Sequence, residues 1–270
     1  MKNRTMSVAG SFYPADTESI GEMIRRFNHI LEQSQEAVWR YNTLVTYAVI
    51  VPHAGWVYSG FTANIAYRIL AGSPVDTIVV IGPSHRVGFG GISVSDSDKY
   101  QTPLGDLNVD RDLVGLLQER FGVISYPQAH HEHSTEVQMP FIRHYFPEVK
   151  IVELVYGDCD PALIEPIISY LLQYQKYGVV ISTDLSHFHP LHTANVIDQR
   201  CLSAVERIDT ALLGEGCEAC GIIGVEAMLL AAQKGNLESA VLDYRTSADA
   251  SGETSRVVGY MSALFQEKLW

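Results

Sequence analysis

Residues 46–85 read TYAVIVPHAGWVYSGFTANIAYRILAGSPVDTIVVIGPSH, and this stretch decides the fold. TYAVIV (46–51) is an aliphatic, largely β-branched run of buried-strand length. FTANIAYRILAG (61–72) has helical period and closes on Gly72, which suits a C-cap. DTIVVIG (76–82) follows almost at once as a second strand. Strand, helix and strand in so short a span make a βαβ unit, which implies parallel neighbours and a right-handed crossover.

The alternation continues on both sides. In SIGEMIRRFNHILEQ, Ile20, Met23, Ile24, Phe27, Ile30 and Leu31 recur at three- and four-residue steps, so one stripe of a helix faces a core and His29 lies off it in solvent. RDLVGLLQERFG predicts a helix capped by Asp110, VKIVELVYGD a buried strand, and Asp160 followed by Pro161 the start of another helix. YGVVIST reads as a strand, residues 193–213 as one long helix, and VEAMLLAAQKG as a shorter one. SAVLDYRTS and RVVGYMSALFQ are two late strands. No proline-rich linker, charge block or repeat divides the chain, so the expectation is one α/β domain over residues 1–270, with a central, mixed but mostly parallel sheet flanked by helices.

With 270 residues and 47% hydrophobic content the chain can build a large core. Its net charge of −12 is the wrong sign for a general phosphate-backbone binder, which argues against nucleic acid. No apolar run approaches the roughly 18 residues a membrane helix needs, and MKNRTMSVAGSFYP has no leader-like apolar region, so a cytoplasmic location is expected. There is no P-loop or dinucleotide fingerprint, hence no nucleotide cofactor, and no GxSxG elbow. In a reducing cytosol Cys159, Cys201, Cys217 and Cys220 are expected to stay as thiols or to bind metal rather than pair as disulfides.

Three apolar runs end in the same way: YAVIV in PHAG, TIVVI in GPSH and VVI in STDLSHF. They deliver His53, His85 and His187 just past their ends. In open α/β sheets ligands sit beyond the carboxyl ends of parallel strands. Taken singly, each histidine suits a cap or a loop bond equally well. Three converging suit metal-assisted chemistry. Asp184, three residues before His187, either orients an imidazole through its second nitrogen or forms a turn. HHEHSTEVQMPF adds His133 and Glu136 as outer-sphere or substrate-facing candidates, with His130 and His131 behind them. Arg86 lies beside GPSH as a local phosphate contact. Tyr58, Trp56 and Phe188 either line a pocket or belong to the core.

In order, the motifs AGSFYPAD, VPHAGWVYSG, IGPSHR, TPLGDL, EHSTEVQMPF, STDLSHF and ACG resemble those of the Memo family, from about Ala9 to Gly259. The wording is similar to that of AmmeMemoRadiSam system protein B members, which implies association with radical-SAM and AMMECR-type proteins. The resemblance implies a fold like class III extradiol dioxygenases. It also implies metal ligation by His53, His85 and Cys220, with Asp184 and His187 as the remaining polar groups of the pocket and His187 as acid/base. A thiolate in place of the dioxygenases' carboxylate is a departure, since sulfur also favours copper and zinc. The ACG segment further lacks the Arg and Pro that often follow the family's Cys-Gly. Iron or copper is therefore the first expectation and zinc the next. The implied function is redox or dioxygenase-related chemistry on an unidentified small molecule. The alternatives are a non-catalytic peptide- or ligand-binding module, as proposed for phosphotyrosine recognition by animal Memo proteins, and a zinc-dependent hydrolase.

Overall fold

The computed structural model describes residues 2–33 and 45–268. The opening stretch forms strand β2 (Ala48–Val51), a helix over Trp56–Leu70 and strand β3 (Thr77–Pro83). Every residue of both strands is buried, as a strand covered on both faces demands. The helix starts five residues before Phe61. It ends on Ala71 in a right-handed conformation, with the Gly72 N–H bonded to the Ile69 carbonyl, so Gly72 is not the expected left-handed cap. β2 and β3 run in the same direction but are not hydrogen-bonded to each other. Strand β8 (Tyr177–Ser182) lies between them and is parallel to both.

Around that centre stand β1 (Asn3–Arg4), β4 (Ile92–Val94), β5 (Lys99–Tyr100), β6 (Leu107–Val109), β7 (Lys150–Tyr156), β9 (His187–His189), β10 (Leu237–Thr246) and β11 (Val257–Glu267). The sheet order among the described residues is β1-β5-β6-β7-β3-β8-β2-β11-β10, with β4 on β7 and β9 on β11. β6 to β2 form a parallel block, and β11 and β10 add antiparallel strands beyond it. Single-domain α/β architecture with a mixed, mostly parallel sheet is therefore what the chain adopts.

The helices are α1 (Thr17–Glu32), α2 (Trp56–Leu70), α3 (Arg111–Phe121), α4 (His133–Glu136), α5 (Met139–Tyr145), α6 (Pro161–Leu171), α7 (Leu191–Arg207), α8 (Thr210–Leu213), α9 (Ile222–Lys234) and α10 (Ala248–Ser251). α1 buries Ile20, Ile24, Phe27 and Leu31, while Ile30 at the stripe's edge is 41% exposed. Asp110 and Asp160 cap α3 and α6 through backbone N–H groups, as the sequence predicts. The long helix expected over 193–213 is broken instead. Ile208 takes a left-handed φ of 51° and Asp209 caps the new turn by accepting from Ala211 N–H.

Cys201 on α7 and Cys217 form a disulfide, with Cα atoms 5.0 Å apart. This corrects the expectation that the cysteines stay as thiols or bind metal rather than pair, and it takes Cys201 and Cys217 out of both roles. α7 packs against β10 and β11 and carries Cys201, only 1% exposed, to the segment that leads into α9.

β7 carries a glutamate inside its apolar run. Glu153 is buried and bonded to His130 Nδ1 (2.6 Å), to the hydroxyls of Tyr100 and Thr135, and paired with Arg4 at 3.9 Å. Arg4 is also buried and reaches Glu136 Oε2 at 2.6 Å. Glu136 accepts in addition from Ser7 and Val8 N–H (2.8 and 2.9 Å) and from the Tyr13 hydroxyl (2.8 Å). Burial alone raises a carboxyl. Here Arg4 and the N–H donors overcome it and hold Glu136 below its ordinary 4.5.

Two outcomes follow from these contacts. Glu136→Gln lowers unfolding free energy at pH 7 by about 3 kcal/mol, because a buried cation loses a partner. Since the folded-state value is depressed, the wild-type advantage is full above the ordinary 4.5 and shrinks as pH falls through the folded value; urea titrations of both proteins from pH 7 to 3 read it, and a pH-independent difference contradicts it. Cys201→Ser, which opens a 16-residue loop, lowers stability by about 3 kcal/mol. Reductant reproduces that loss in the wild type and leaves the variant unchanged.

Candidate metal centre

Because β3, β8 and β2 are consecutive and parallel, their carboxyl ends open on one crevice. His53, two residues past β2, is 2% exposed. Its backbone N–H donates to Asp184 Oδ1 (2.7 Å) and its Nδ1 lies 2.9 Å from Ser182 Oγ. Its Nε2 is 3.3 Å from Cys220 Sγ. His85, two residues past β3, is the open member of the group. It donates its backbone N–H to Glu132 Oε2 (2.7 Å), and its Nδ1 is 3.4 Å from Oε1 of the same carboxylate.

Cys220 arrives from the segment before α9 and is fastened to the end of β8. Its N–H donates to the Asp184 carbonyl (3.1 Å), and its sulfur accepts from Asp184 N–H (3.3 Å). Gly221 permits that approach, since a Cβ there would stand 2.8 Å from the Ser182 carbonyl oxygen and 2.7 Å from the Thr183 side chain. One donor atom each from His53, His85 and Cys220 lies within 4.8 Å of the others.

His133 lies beside this group, with its ring 4.7 Å from that of His85 and 5.4 Å from that of His53. Sequence reasoning missed its neighbour Glu132, which is buried and whose Oε1 lies 2.7 Å from His133 Nδ1. His85, Glu132 and His133 are a second set of donors within 4.8 Å. The available signal was positional: Glu132 caps α4, accepting from His133 and Ser134 N–H.

Other expectations are corrected. Glu136 does not face the pocket; its carboxylate is spent on Arg4, Tyr13 and the backbone at 7–8. His130 belongs to the Glu153 network. Asp184 is bonded to the His53 backbone rather than to an imidazole, and Ser182 holds the His53 ring. Trp56 takes the core alternative of its two readings, stacked on Phe141 with ring centres 3.9 Å apart. His187 is half-buried on β9, opposite Val258 of β11, near enough to act electrostatically on both His53 and Asp184. Beside it Phe188 has a φ of 63° and is 62% exposed. Tyr58 is half-exposed at the start of α2, and Arg86 is exposed with its N–H on Glu132.

Burial, reinforced by His85 and His133, holds His53 well below its ordinary 6.5, so its imidazole is neutral and has a free lone pair. Burial, with Asp184 adding to it, pushes the Cys220 thiol up to about 12. Asp184 is raised by burial against the opposing pull of His53 N–H and His187. Glu132 is held below the usual carboxylate range: burial raises it, and the His133 and His85 bonds more than offset that. Two imidazoles and a sulfur converging on one point make a donor set that fits a transition metal, since thiol and imidazole are the ligands such ions prefer over the alkaline earths.

A family model described as Memo-like protein matches residues 4–264. A MEMO1 family protein of Methanopyrus kandleri is 33% identical over 286 residues, covering 97% of this chain and 99% of that protein. One from Saccharolobus solfataricus matches at the same identity and coverage, and one from Aquifex aeolicus is 32% identical over 98% of this chain and its own full length. The extradiol dioxygenase-like fold implied by the sequence motifs agrees with the sheet described above. Matched along nearly its whole length by the family model and by relatives at this identity, the chain belongs to the Memo family.

Proposed function

We propose that this protein is a metal-dependent oxidoreductase whose centre is held by His53, His85 and Cys220, with iron or copper as the working ion. The observation that carries the reading is the convergence of the three donor atoms within 4.8 Å at the carboxyl ends of adjacent parallel strands. Such an ion supplies one-electron redox chemistry and a Lewis acid. His53 contributes a neutral, water-excluded imidazole, and His85 the donor nearest solvent. Asp184 fixes the His53 backbone and Cys220 at once, and His187 handles the substrate proton at the rim. Association with radical-SAM and AMMECR-type proteins is carried into this reading on resemblance alone.

A second reading is a binding module without turnover. Val57, Tyr58 and Phe188, close in sequence to His53 and His187, are 68%, 45% and 62% exposed, and exposed apolar side chains support a ligand surface. Arg86 would then contact an anionic group of the ligand. Zinc-assisted hydrolysis is the third, and stoichiometric zinc with esterase or amidase turnover distinguishes it.

Protein purified anaerobically without a histidine tag is expected to hold iron or copper in stoichiometric amount. His53→Ala, His85→Ala and Cys220→Ala each weaken binding by roughly 100-fold or more, a loss at or above the upper end of that for removing a ligand's hydrogen-bond partner. Trace metal, unchanged by the three substitutions, removes the metalloenzyme reading and leaves the binding module.

A further inference from the structure

The rings of His53, His85 and His133 are each held at Nδ1 by a group that leaves them one tautomer. Ser182 Oγ gives its single proton to the Ser134 carbonyl (2.5 Å) and accepts from Gln138 Nε2 (3.1 Å). The Gln138 amide cannot turn over, because its Nε2 also donates to the Pro52 carbonyl (2.9 Å) and its Oε1 accepts from the Tyr67 hydroxyl (3.1 Å). His53 Nδ1, 2.9 Å from Ser182 Oγ, must therefore donate, and its Nε2 carries the lone pair that faces Cys220 Sγ at 3.3 Å.

Glu132 imposes the same arrangement on the other two rings. Its Oε1 lies 2.7 Å from His133 Nδ1 and 3.4 Å from His85 Nδ1. The carboxylate already accepts backbone N–H groups from His85, Arg86, His133 and Ser134. An oxygen surrounded by donors is an ionised acceptor, so both rings donate through Nδ1 and keep Nε2 bare.

We propose that Ser182 and Glu132 are positioning residues that lock His53, His85 and His133 as Nδ1–H tautomers, which leaves Nε2 of the ligands His53 and His85 as the lone pairs available to a metal. The inference rests on the metal reading above. It assigns Glu132 to the carboxylate–histidine–metal arrangement, in which an outer partner fixes ring orientation and raises ligand basicity. Gln138 and Tyr67 extend the chain of support from Ser182 into α5's approach and α2.

Long-range proton–nitrogen NMR of metal-free, 15N-histidine-labelled protein tests it, with rings assigned by single His→Gln variants. The wild type is expected to show the Nδ1–H pattern for His53, His85 and His133. Ser182→Ala shifts His53 alone toward Nε2–H, Glu132→Gln shifts His85 and His133, and each lowers zinc affinity by about 10- to 100-fold. Any of the three rings as Nε2–H in the wild type overturns the inference, and that result does not depend on a variant folding. Tautomers unchanged in both folded variants, or zinc affinity equal to wild type in both, overturn it as well. Tautomers are read without metal and affinity with it, so failure here and failure of the metal reading give different results.

Discussion

The adjacency of three parallel strands, β3, β8 and β2, is the constraint on which the rest of the structure depends. β8 inserts between the two strands of the opening βαβ unit, and its backbone pairs with β3 from Tyr177 to Ile181 and with β2 from Val179 to Ser182. That insertion aligns three strand ends, so Pro52-His53, Ser84-His85 and Ser182-Thr183-Asp184 meet without any long loop. Burial on both faces fixes the register, because a one-residue slip in a strand buried throughout would misplace every contact. A centre built on strand ends is held more firmly than one built on loops.

The second organising feature is a set of buried charges that are paired rather than avoided. Arg4 sits between Glu136 and Glu153, and His130 completes the balance on Glu153. The Glu132 carboxylate stands apart from these and faces His85 and His133. The three glutamates thus serve different ends. Glu136 and Glu153 tie the N-terminal residues to the sheet, and Glu132 ties α4 to the loop after β3. Removing one partner of such a pair costs more than the pair itself contributes, because the other charge stays buried.

Much of this was legible in the sequence. Alternating strands and helices gave the α/β class, and the ends of VVI, TIVVI and YAVIV brought His53, His85 and His187 to one side of the sheet. What the sequence could not carry was the partner of each side chain. Asp184 and Glu136 look alike as polar residues near histidines, yet one bonds the His53 backbone and the other closes an ion pair with Arg4, 132 residues away. Glu132 was hidden because its role depends on β3 and α4 meeting, a long-range event without a local pattern. The Cys201–Cys217 bridge was hidden for the same reason: it depends on where α7 lies, and Cys217 reads locally as half of a CxxC pair with Cys220.

The central claim is that one metal ion is bound by imidazole and by the sulfur of Cys220 together. X-ray absorption at the metal edge of the reconstituted protein, beside Cys220→Ser, tests it most directly. The account predicts a first shell containing one sulfur with imidazole scattering behind the nitrogen ligands, and loss of the sulfur alone in the variant. A shell of oxygen and nitrogen only in the wild type, identical in Cys220→Ser, would contradict it.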